Sequence, residues 1–194
     1  NIFKKNKLKI GFDSKLITKK FLEVFFKTNN CKLQNINENL IDKIWKRKSN
    51  HKVCKFYILS KNSNSQSYKI KIKKVISNII KQKADYQFIS SSENISWLMN
   101  IRGKDSSYSP ITNSYVLINR NKKIKFFCDL KKVSNSFKNN FRNVNFIDIK
   151  LIHLELLRLR DKKVIIDSNT CSQYFENLIL IRNSLIHQKD KISE

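Results

Sequence analysis

The sequence predicts an α/β protein whose mixed sheet is covered by helices on both faces. Short apolar segments alternate along the chain with longer segments whose apolar residues recur at helical spacing, as α/β folds require. Two apolar segments, Ser114–Asn119 and Ile124–Asp129, are joined only by Arg120-Asn121-Lys122 and are predicted to form an antiparallel hairpin. Because this hairpin interrupts an otherwise strand–helix–strand order, the predicted sheet is mixed.

The first segments of the chain predict a small strand–helix–strand unit. Leu8–Phe12 is predicted to be a short buried strand, Thr18–Lys27 a helix capped by its threonine, and Cys31–Ile36 a second strand. A further helix is predicted over Glu38–Trp45, where Leu, Ile and Trp recur at helical spacing. Since this unit is too small to bury a core alone, residues 1–45 are expected to be the C-terminal part of a domain with its linker helix.

A second, larger unit is assigned to residues 46–182, and its first residues, which are polar and basic, are interpreted as a linker. Val53–Leu59 is interpreted as a strand or an extended connector, and Ser60–Ser67 as a polar loop. Tyr68–Ala84 carries isoleucines and valine at a period of about 3.6 residues, which predicts an amphipathic helix with its lysines in solvent.

The middle and the end of this unit continue the alternation. Tyr86–Ile89 is predicted to be a strand, and Ser90–Glu93 carries N-cap chemistry for a helix over Asn94–Ile101. Arg102–Pro110 is predicted to be an irregular loop. The remaining predicted elements, besides the hairpin, are a helix near Val133–Asn140, a strand at Asn145–Ile149, a helix at Lys150–Arg160, a strand at Val164–Asp167 and a helix at Thr170–Leu180.

Positive charge dominates the composition. The 194 residues include 40 Lys and Arg against 15 Asp and Glu, which gives a formal net charge of +25. A basic face for nucleic acid would produce this excess, and so would a compositional drift toward Lys, Asn and Ile. The lysines are scattered through every segment and Arg is the minority base, so the pattern favours drift and makes a nucleic-acid partner the weaker interpretation. No apolar run approaches the ~18 residues of a membrane span, and the cytoplasm is the expected location.

The residues that carry chemistry are few and scattered. Cys31, Cys54, Cys128 and Cys171 form no CxxC pair, and His51 with Cys54 is an isolated HxxC, so we expect reduced thiols rather than a zinc site. Two glycines are too few for a Gly-rich phosphate loop or a nucleophile elbow. We therefore predict no catalytic residue, no metal ligand and no cofactor site in this chain.

One long segment, Ser91–Ile118, carries a resemblance to a known family. It reads SSENISWLMNIRGKDSSYSPITNSYVLI and resembles the signature of the second N-terminal domain in aminopeptidase P, the Xaa-Pro aminopeptidase of the creatinase/prolidase family. That signature has an acidic-Asn-Ile-Ala-Trp-Leu helix, then Asn-(Ile/Leu)-Arg-Gly-x-Asp, a Pro and a strand containing Ser-Tyr. The matching residues here are Glu93, Asn94, Ile95, Trp97, Leu98, Asn100, Ile101, Arg102, Gly103, Asp105, Pro110, Ser114 and Tyr115.

The resemblance extends over nearly the whole chain. Lys9–Asp13 is similar to the end of a first-domain strand, Glu38–Trp45 to the link between the two N-terminal domains, and Val164–Phe175 to the elements that close the second. It is weakest near the end, where the family's Pro is absent. Residues 183–194 are assigned to the lead-in to a catalytic domain.

This resemblance implies a fold for the chain and assigns catalysis to a separate domain. The implied fold is the creatinase/prolidase N-terminal domain, with a ribonuclease H-like motif, preceded by a partial copy of itself. In the long, three-domain members a separate C-terminal domain hydrolyses peptides with proline second, using two divalent metals, usually manganese. We expect that catalytic domain to lie outside these residues, and a chain that starts with Asn and whose only methionine is Met99 is expected to be an internal or truncated piece of a longer protein. The implied role is non-catalytic: to shape the active-site mouth beside its own catalytic domain, and to support a homodimer.

The irregular loop after the predicted helix is the best candidate for contact with such an active site. Its arginine and aspartate either face the cleft or pair with each other, and the second interpretation is favoured because ion pairs are often structural. Gly103 is expected to allow a backbone conformation or a close approach that a Cβ would obstruct. The loop residues proposed to face the cleft are Arg102, Gly103, Asp105, Tyr108 and Pro110.

Two other functions stay open. The chain would serve as a stand-alone basic module that binds nucleic acid or a partner protein, or it would be a decayed gene fragment without activity. Binding of nucleic acid across a salt series tests the first. Non-cooperative melting would favour the second.

Overall fold

The computed structural model describes residues 8–26, 31–36, 38–45, 53–59 and 66–190, and it begins with a small strand–helix–strand unit. Strands β1 (Leu8–Phe12) and β2 (Cys31–Asn35) pair in parallel, with Leu8 opposite Cys31, and helix α1 (Lys19–Phe26) lies between them in the chain. Helix α2 (Leu40–Ile44) follows and is capped by the Asn39 side chain. Leu22 is the buried residue of α1, and α2 buries none.

The main domain is built on a six-stranded mixed sheet in the order β10-β9-β4-β6-β7-β8. Its parallel pairs are β10 with β9, β9 with β4, and β7 with β8, whereas β6 pairs antiparallel with both β4 and β7. A separate two-stranded ladder joins β3 to β5 antiparallel. The strands are β3 (Tyr57–Ile58), β4 (Tyr86–Ile89), β5 (Ile101–Arg102), β6 (Tyr115–Asn119), β7 (Ile124–Cys128), β8 (Val144–Asp148), β9 (Lys163–Ile166) and β10 (Ser184–His187).

Helices cover both faces of this sheet because the central strands alternate buried side chains to either side. Val116 and Ile118 pack toward α3, α4 and α5, whereas Leu117 packs with Phe127 toward α6 and α7. The helices are α3 (Tyr68–Lys81), α4 (Ser92–Met99), α5 (Asn135–Asn139), α6 (Ile152–Leu157) and α7 (Gln173–Leu180), with short 3₁₀ turns at Leu130–Lys132 and Ile149–Leu151.

Backbone hydrogen bonds fasten the first unit to the start of α7. The amide of Gln173 donates to the carbonyl of Ile17, and the amide of Tyr174 donates to the carbonyl of Ser14, both at 2.9 Å. The first amides of a helix have no partner within the helix. Carbonyls of the first unit therefore satisfy two of these amides on α7.

The predicted α/β class, the mixed sheet and the hairpin are confirmed, and the differences are local. The helix predicted over Asn94–Ile101 ends at Met99, because Ile101 pairs with Ile58 in the β3–β5 ladder. The helix predicted from Lys150 starts with a 3₁₀ turn, in which the amide of Lys150 donates to the Asp148 carboxylate.

Strand β10 was not predicted. It lies in the segment 183–194 that was assigned to the lead-in, and the structure gives it a place at one edge of the sheet. The predicted linker at residues 46–52 lies outside the described residues, as do residues 60–65 of the predicted polar loop. In the described part of the chain, every helix is too short or too polar to cross a bilayer.

Candidate functional site

The candidate loop begins at the C-terminal end of α4, where Arg102 closes the helix. The helix starts at the Ser91 side chain, which accepts from the amide of Asn94, and ends at Asn100 in the left-handed conformation, with φ 55°. The Arg102 guanidinium then turns back and donates from Nη1 to the carbonyls of Ser96 at 2.8 Å and Ile101 at 3.0 Å. Arg102 therefore adds a second donor to the Ser96 carbonyl, which also accepts from the amide of Asn100, and ties the loop to the end of α4.

A buried lysine secures the same helix end from the other side. Lys71 of α3 donates from Nζ to the carbonyl of Trp97 at 2.7 Å and to Oδ1 of Asn100 at 2.6 Å. Its Nζ also lies 3.7 Å from the centre of the Trp97 ring, which is a cation–π distance. Burial, together with the nearby Arg102 charge, lowers the pKa of Lys71 below its usual value. Two cations thus hold one helix end, which fixes the point where the loop leaves.

Gly103 is required by close approach rather than by backbone conformation. Its φ lies outside the positive range. A Cβ at this position would lie 2.9 Å from the carbonyl oxygen of Ile111 and 3.2 Å from the ring of Phe56. The loop also closes here, since the Gly103 amide donates to the carbonyl of Pro110 at 3.3 Å. The two ends of the loop are therefore in van der Waals contact at Gly103.

Asp105 has its own partners and does not form the predicted pair with Arg102. Its Oδ1 makes an ion pair with Lys132, and its Oδ2 accepts from the amide of Asn113 at 2.7 Å. Both side chains of the ion pair are largely buried, so Asp105 links the loop to the 3₁₀ turn that follows β7. The interpretation of Arg102 and Asp105 as a mutual pair was wrong, because each is held by a different element.

The apex of the loop projects away from this fixed base. Tyr108 is 99% exposed, and Pro110 is exposed beside it. A cavity of about 380 Å³ lies between the loop and the end of β7, lined in part by Cys54, Asp105 and Asp129. The five residues that the sequence singled out therefore lie in one loop, with Tyr108 at its exposed apex and the other four at its base.

The charged side chains of Arg102 and Asp105 in this loop are engaged in contacts that hold its shape. The Asp105 carboxylate is neutralised by Lys132. Burial raises the pKa of the neighbouring Cys128 thiol to about 12, which keeps this thiol protonated at neutral pH. Within the described residues, no group of three or more His, Cys, Asp or Glu lies close enough together to hold a metal ion. A dinuclear metal centre does not fit the side chains at this site.

Sequence reasoning missed a second group of polar side chains, which lies where β9 and β10 end. Ser168, Glu176 and His187 come from three separate segments and line a cleft of about 600 Å³. The Ser168 hydroxyl and Nδ1 of His187 are 2.8 Å apart. No local pattern marks these residues, because only the pairing of β9 with β10 brings them together.

Comparison with known proteins assigns the class. A model of the creatinase/prolidase N-terminal domain matches residues 46–194. This match covers most of the chain, and the chain belongs to this family. The family predicted from Ser91–Ile118 is confirmed.

The relatives include Xaa-Pro aminopeptidases. The chain is 30% identical over 200 residues to Xaa-Pro aminopeptidase 1 of Dictyostelium discoideum, over 95% of the chain and 31% of that protein. It is 27% identical over 177 residues to protein pid-5 of Caenorhabditis elegans, over 84% of the chain and 17% of that protein.

One solved structure with the same fold is the X-prolyl aminopeptidase of Caenorhabditis elegans, described as a cytosolic enzyme with a di-nuclear active site. The TM-score is 0.80 at 19% identity, over 95% of this chain and 32% of that one. At this identity the similarity shows the fold alone. The chain spans less than a third of the length of each of these relatives.

Proposed function

We propose that this chain is the non-catalytic N-terminal region of a Xaa-Pro aminopeptidase, and that its Arg102–Pro110 loop shapes the mouth of the active site. The observation that carries the proposal is the construction of the loop. Its base is fixed by Arg102 on α4, by contact at Gly103 and by the Asp105–Lys132 pair, while its apex presents Tyr108 to solvent. A rigid loop with an aromatic apex suits a wall that restricts access.

In this proposal the chemistry of peptide hydrolysis belongs to a different part of the enzyme. The partners of this region are its own catalytic domain and the same region of a second copy in a homodimer. The substrate is a peptide with proline in second position, and the two divalent metals are bound by the catalytic domain. The expected location is the cytoplasm. The role of the present residues is to exclude longer or wrongly shaped peptides, which affects KM more than kcat.

The test is a chimera in which this chain replaces the matching 200 residues of the Dictyostelium discoideum relative. We expect the chimera to hydrolyse Xaa-Pro peptides with manganese supplied. In that chimera, Tyr108→Ala is expected to lower KM for longer peptides several-fold, with kcat and the melting temperature unchanged. An inactive chimera that folds and dimerises would contradict the family role, and an unchanged KM profile across peptide lengths would contradict the role of the loop.

A neighbouring variant serves as the matched control. Ser107→Ala lies beside Tyr108 on the same exposed apex but removes only a hydroxyl. It is expected to leave kcat, KM and the melting temperature unchanged. Equal effects of Ser107→Ala and Tyr108→Ala would mean that the assay reports loop disturbance rather than the aromatic wall.

A further inference from the structure

The cleft lined by Ser168, Glu176 and His187 lies where the parallel strands β9 and β10 end. Open α/β sheets bind ligands outside the carboxyl ends of their parallel strands. Here that edge supplies Asp167, Ser168 and His187, and α1 of the first unit forms the facing wall with Lys19 and Lys20. A volume of about 600 Å³ lies within the range of small-molecule sites.

Glu176 is the unusual residue in this cleft. Its side chain is 1% exposed, yet neither carboxylate oxygen has a hydrogen-bond partner. Two basic nitrogens approach it, Nζ of Lys19 at 3.8 Å and Nε2 of His187 at 3.9 Å, both measured to Oε1 and both too long for a hydrogen bond. Burying a carboxylate without donors is costly, so this arrangement calls for an additional donor group.

The other carboxylate on the same wall is already satisfied. Oδ1 of Asp167 accepts from the amide and the side chain of Asn169 at 2.8 Å, and Oδ2 accepts from the amide of Asp190 at 2.9 Å. The unmet demand for donors is therefore confined to the two oxygens of Glu176. The side chains beside them, Lys19 and His187, are each about half exposed. His187 is held by the Ser168 hydroxyl through Nδ1, whereas the long contact of Lys19 leaves its ammonium able to rotate outward.

We propose that this cleft binds a small zwitterion of the arginine type, with its guanidinium on Glu176 and its carboxylate on the lysines of α1. A guanidinium presents two parallel N–H donors, which match the two unpaired oxygens of one carboxylate. As the guanidinium takes the place of Lys19 over Glu176, the Lys19 ammonium rotates toward the carboxylate of the ligand. Lys20, which already reaches Asn169 across the cleft at 2.8 Å, lies on the same wall. The site is independent of the loop at Arg102–Pro110.

Titration calorimetry of the intact chain tests the proposal with L-arginine and with agmatine, which has the guanidinium but no carboxylate. We expect saturable binding of L-arginine in the micromolar to millimolar range, with agmatine weaker. Glu176→Gln keeps the shape but removes the charge, and is expected to weaken both ligands about tenfold or more. Glu23→Gln, an exposed carboxylate on the rim of the same cleft, is the matched control and is expected to change neither.

A second variant separates the two ends of the ligand. Lys19→Gln removes the competitor of the guanidinium and the partner of the carboxylate together, so it is expected to strengthen agmatine while weakening L-arginine. This reversal has no counterpart in nonspecific binding. Absence of saturable binding by both compounds, equal affinity in the parent and Glu176→Gln proteins, or a parallel change of both ligands in Lys19→Gln would each overturn the proposal.

Discussion

The Arg102–Pro110 loop and the cleft beside β9 and β10 treat buried charge differently. At the Arg102–Pro110 loop each charged group of the base is hydrogen-bonded, since Arg102 reaches carbonyls and Asp105 pairs with Lys132. At the carboxyl ends of β9 and β10, Glu176 has no hydrogen bond and Asp190 is buried near another carboxylate. The loop is thus built for a fixed shape, whereas the strand ends carry Glu176 without donors and Asp190, whose pKa burial raises.

This difference determines how substitutions in each of the two regions change the stability of the protein. A group whose interactions are satisfied loses stability when it is changed, while a buried and poorly compensated carboxylate is itself destabilising at neutral pH. Changes at the loop base are therefore expected to destabilise the protein. Neutralising a carboxylate at the strand ends is expected to stabilise it.

The largest expected effect is at Gly103. Gly103→Val places a Cβ 2.9 Å from a backbone oxygen that cannot rotate away, with two further methyl groups beside the Phe56 ring. We expect a loss of about 3 kcal/mol in the free energy of unfolding, measured by urea denaturation. Gly11→Val is the matched control, because a Cβ there meets only the side chain of Ile36 at 3.0 Å, which has room to move. A loss at Gly11 as large as at Gly103 would contradict the account of the loop base.

The second-largest expected effect is at Asp190, where a substitution is expected to raise the free energy of unfolding. Burial raises the pKa of Asp190 from 3.8 to about 6, against the hydrogen bonds from Asn94 and Gln87, which favour the charged form. Since the folded protein binds the proton more tightly than the unfolded chain, this group stabilises the fold below about pH 4. That contribution is lost as the pH rises through 6. At pH 7 the charged Asp190 therefore destabilises the folded protein.

Asp190→Asn removes this destabilising charge and is expected to raise the free energy of unfolding at pH 7 by about 2 kcal/mol. The new amide finds an acceptor, because Oε1 of Gln87 is buried without a partner and a rotation of that amide presents it to the asparagine. The measurement is the difference between variant and parent from pH 4 to pH 7.5, and it should grow with pH. A difference that is constant across this range would show that Asp190 does not titrate there.

Periodicity and capping predicted most of the fold, because they are local properties of the chain. The helix over Tyr68–Lys81 follows from its apolar spacing, and the start of α4 follows from Ser91. Strand β10 was not predicted because its four residues, Ser184–His187, carry no apolar–polar alternation strong enough to distinguish a strand from a connector. Its position is set by pairing with β9, which is a long-range interaction.

The candidate loop could be located from sequence but its interactions could not. The motif around Arg102 and Gly103 marked the loop, and the need for a residue without Cβ was predicted. The partner of Asp105 was not, because Lys132 lies 27 positions away and is brought in by the β6–β7 hairpin. The proximity of Glu176 and His187 was not predicted for the same reason, since neither belongs to a motif and only the tertiary fold places them together.

The smallest of the expected effects is at Asp105. Asp105→Asn keeps an oxygen for the amide of Asn113 but removes the charge that compensates Lys132, whose side chain is 20% exposed. We expect a loss of about 1 kcal/mol in the free energy of unfolding, since partial access to water screens the remaining cation. The exposed pair Lys43–Glu38 provides the control, and Glu38→Gln should have no measurable effect. If 0.5 M salt removed the Asp105 effect completely, the pair would be an ordinary surface pair, and the base of the loop would be held by Arg102 and Gly103 alone.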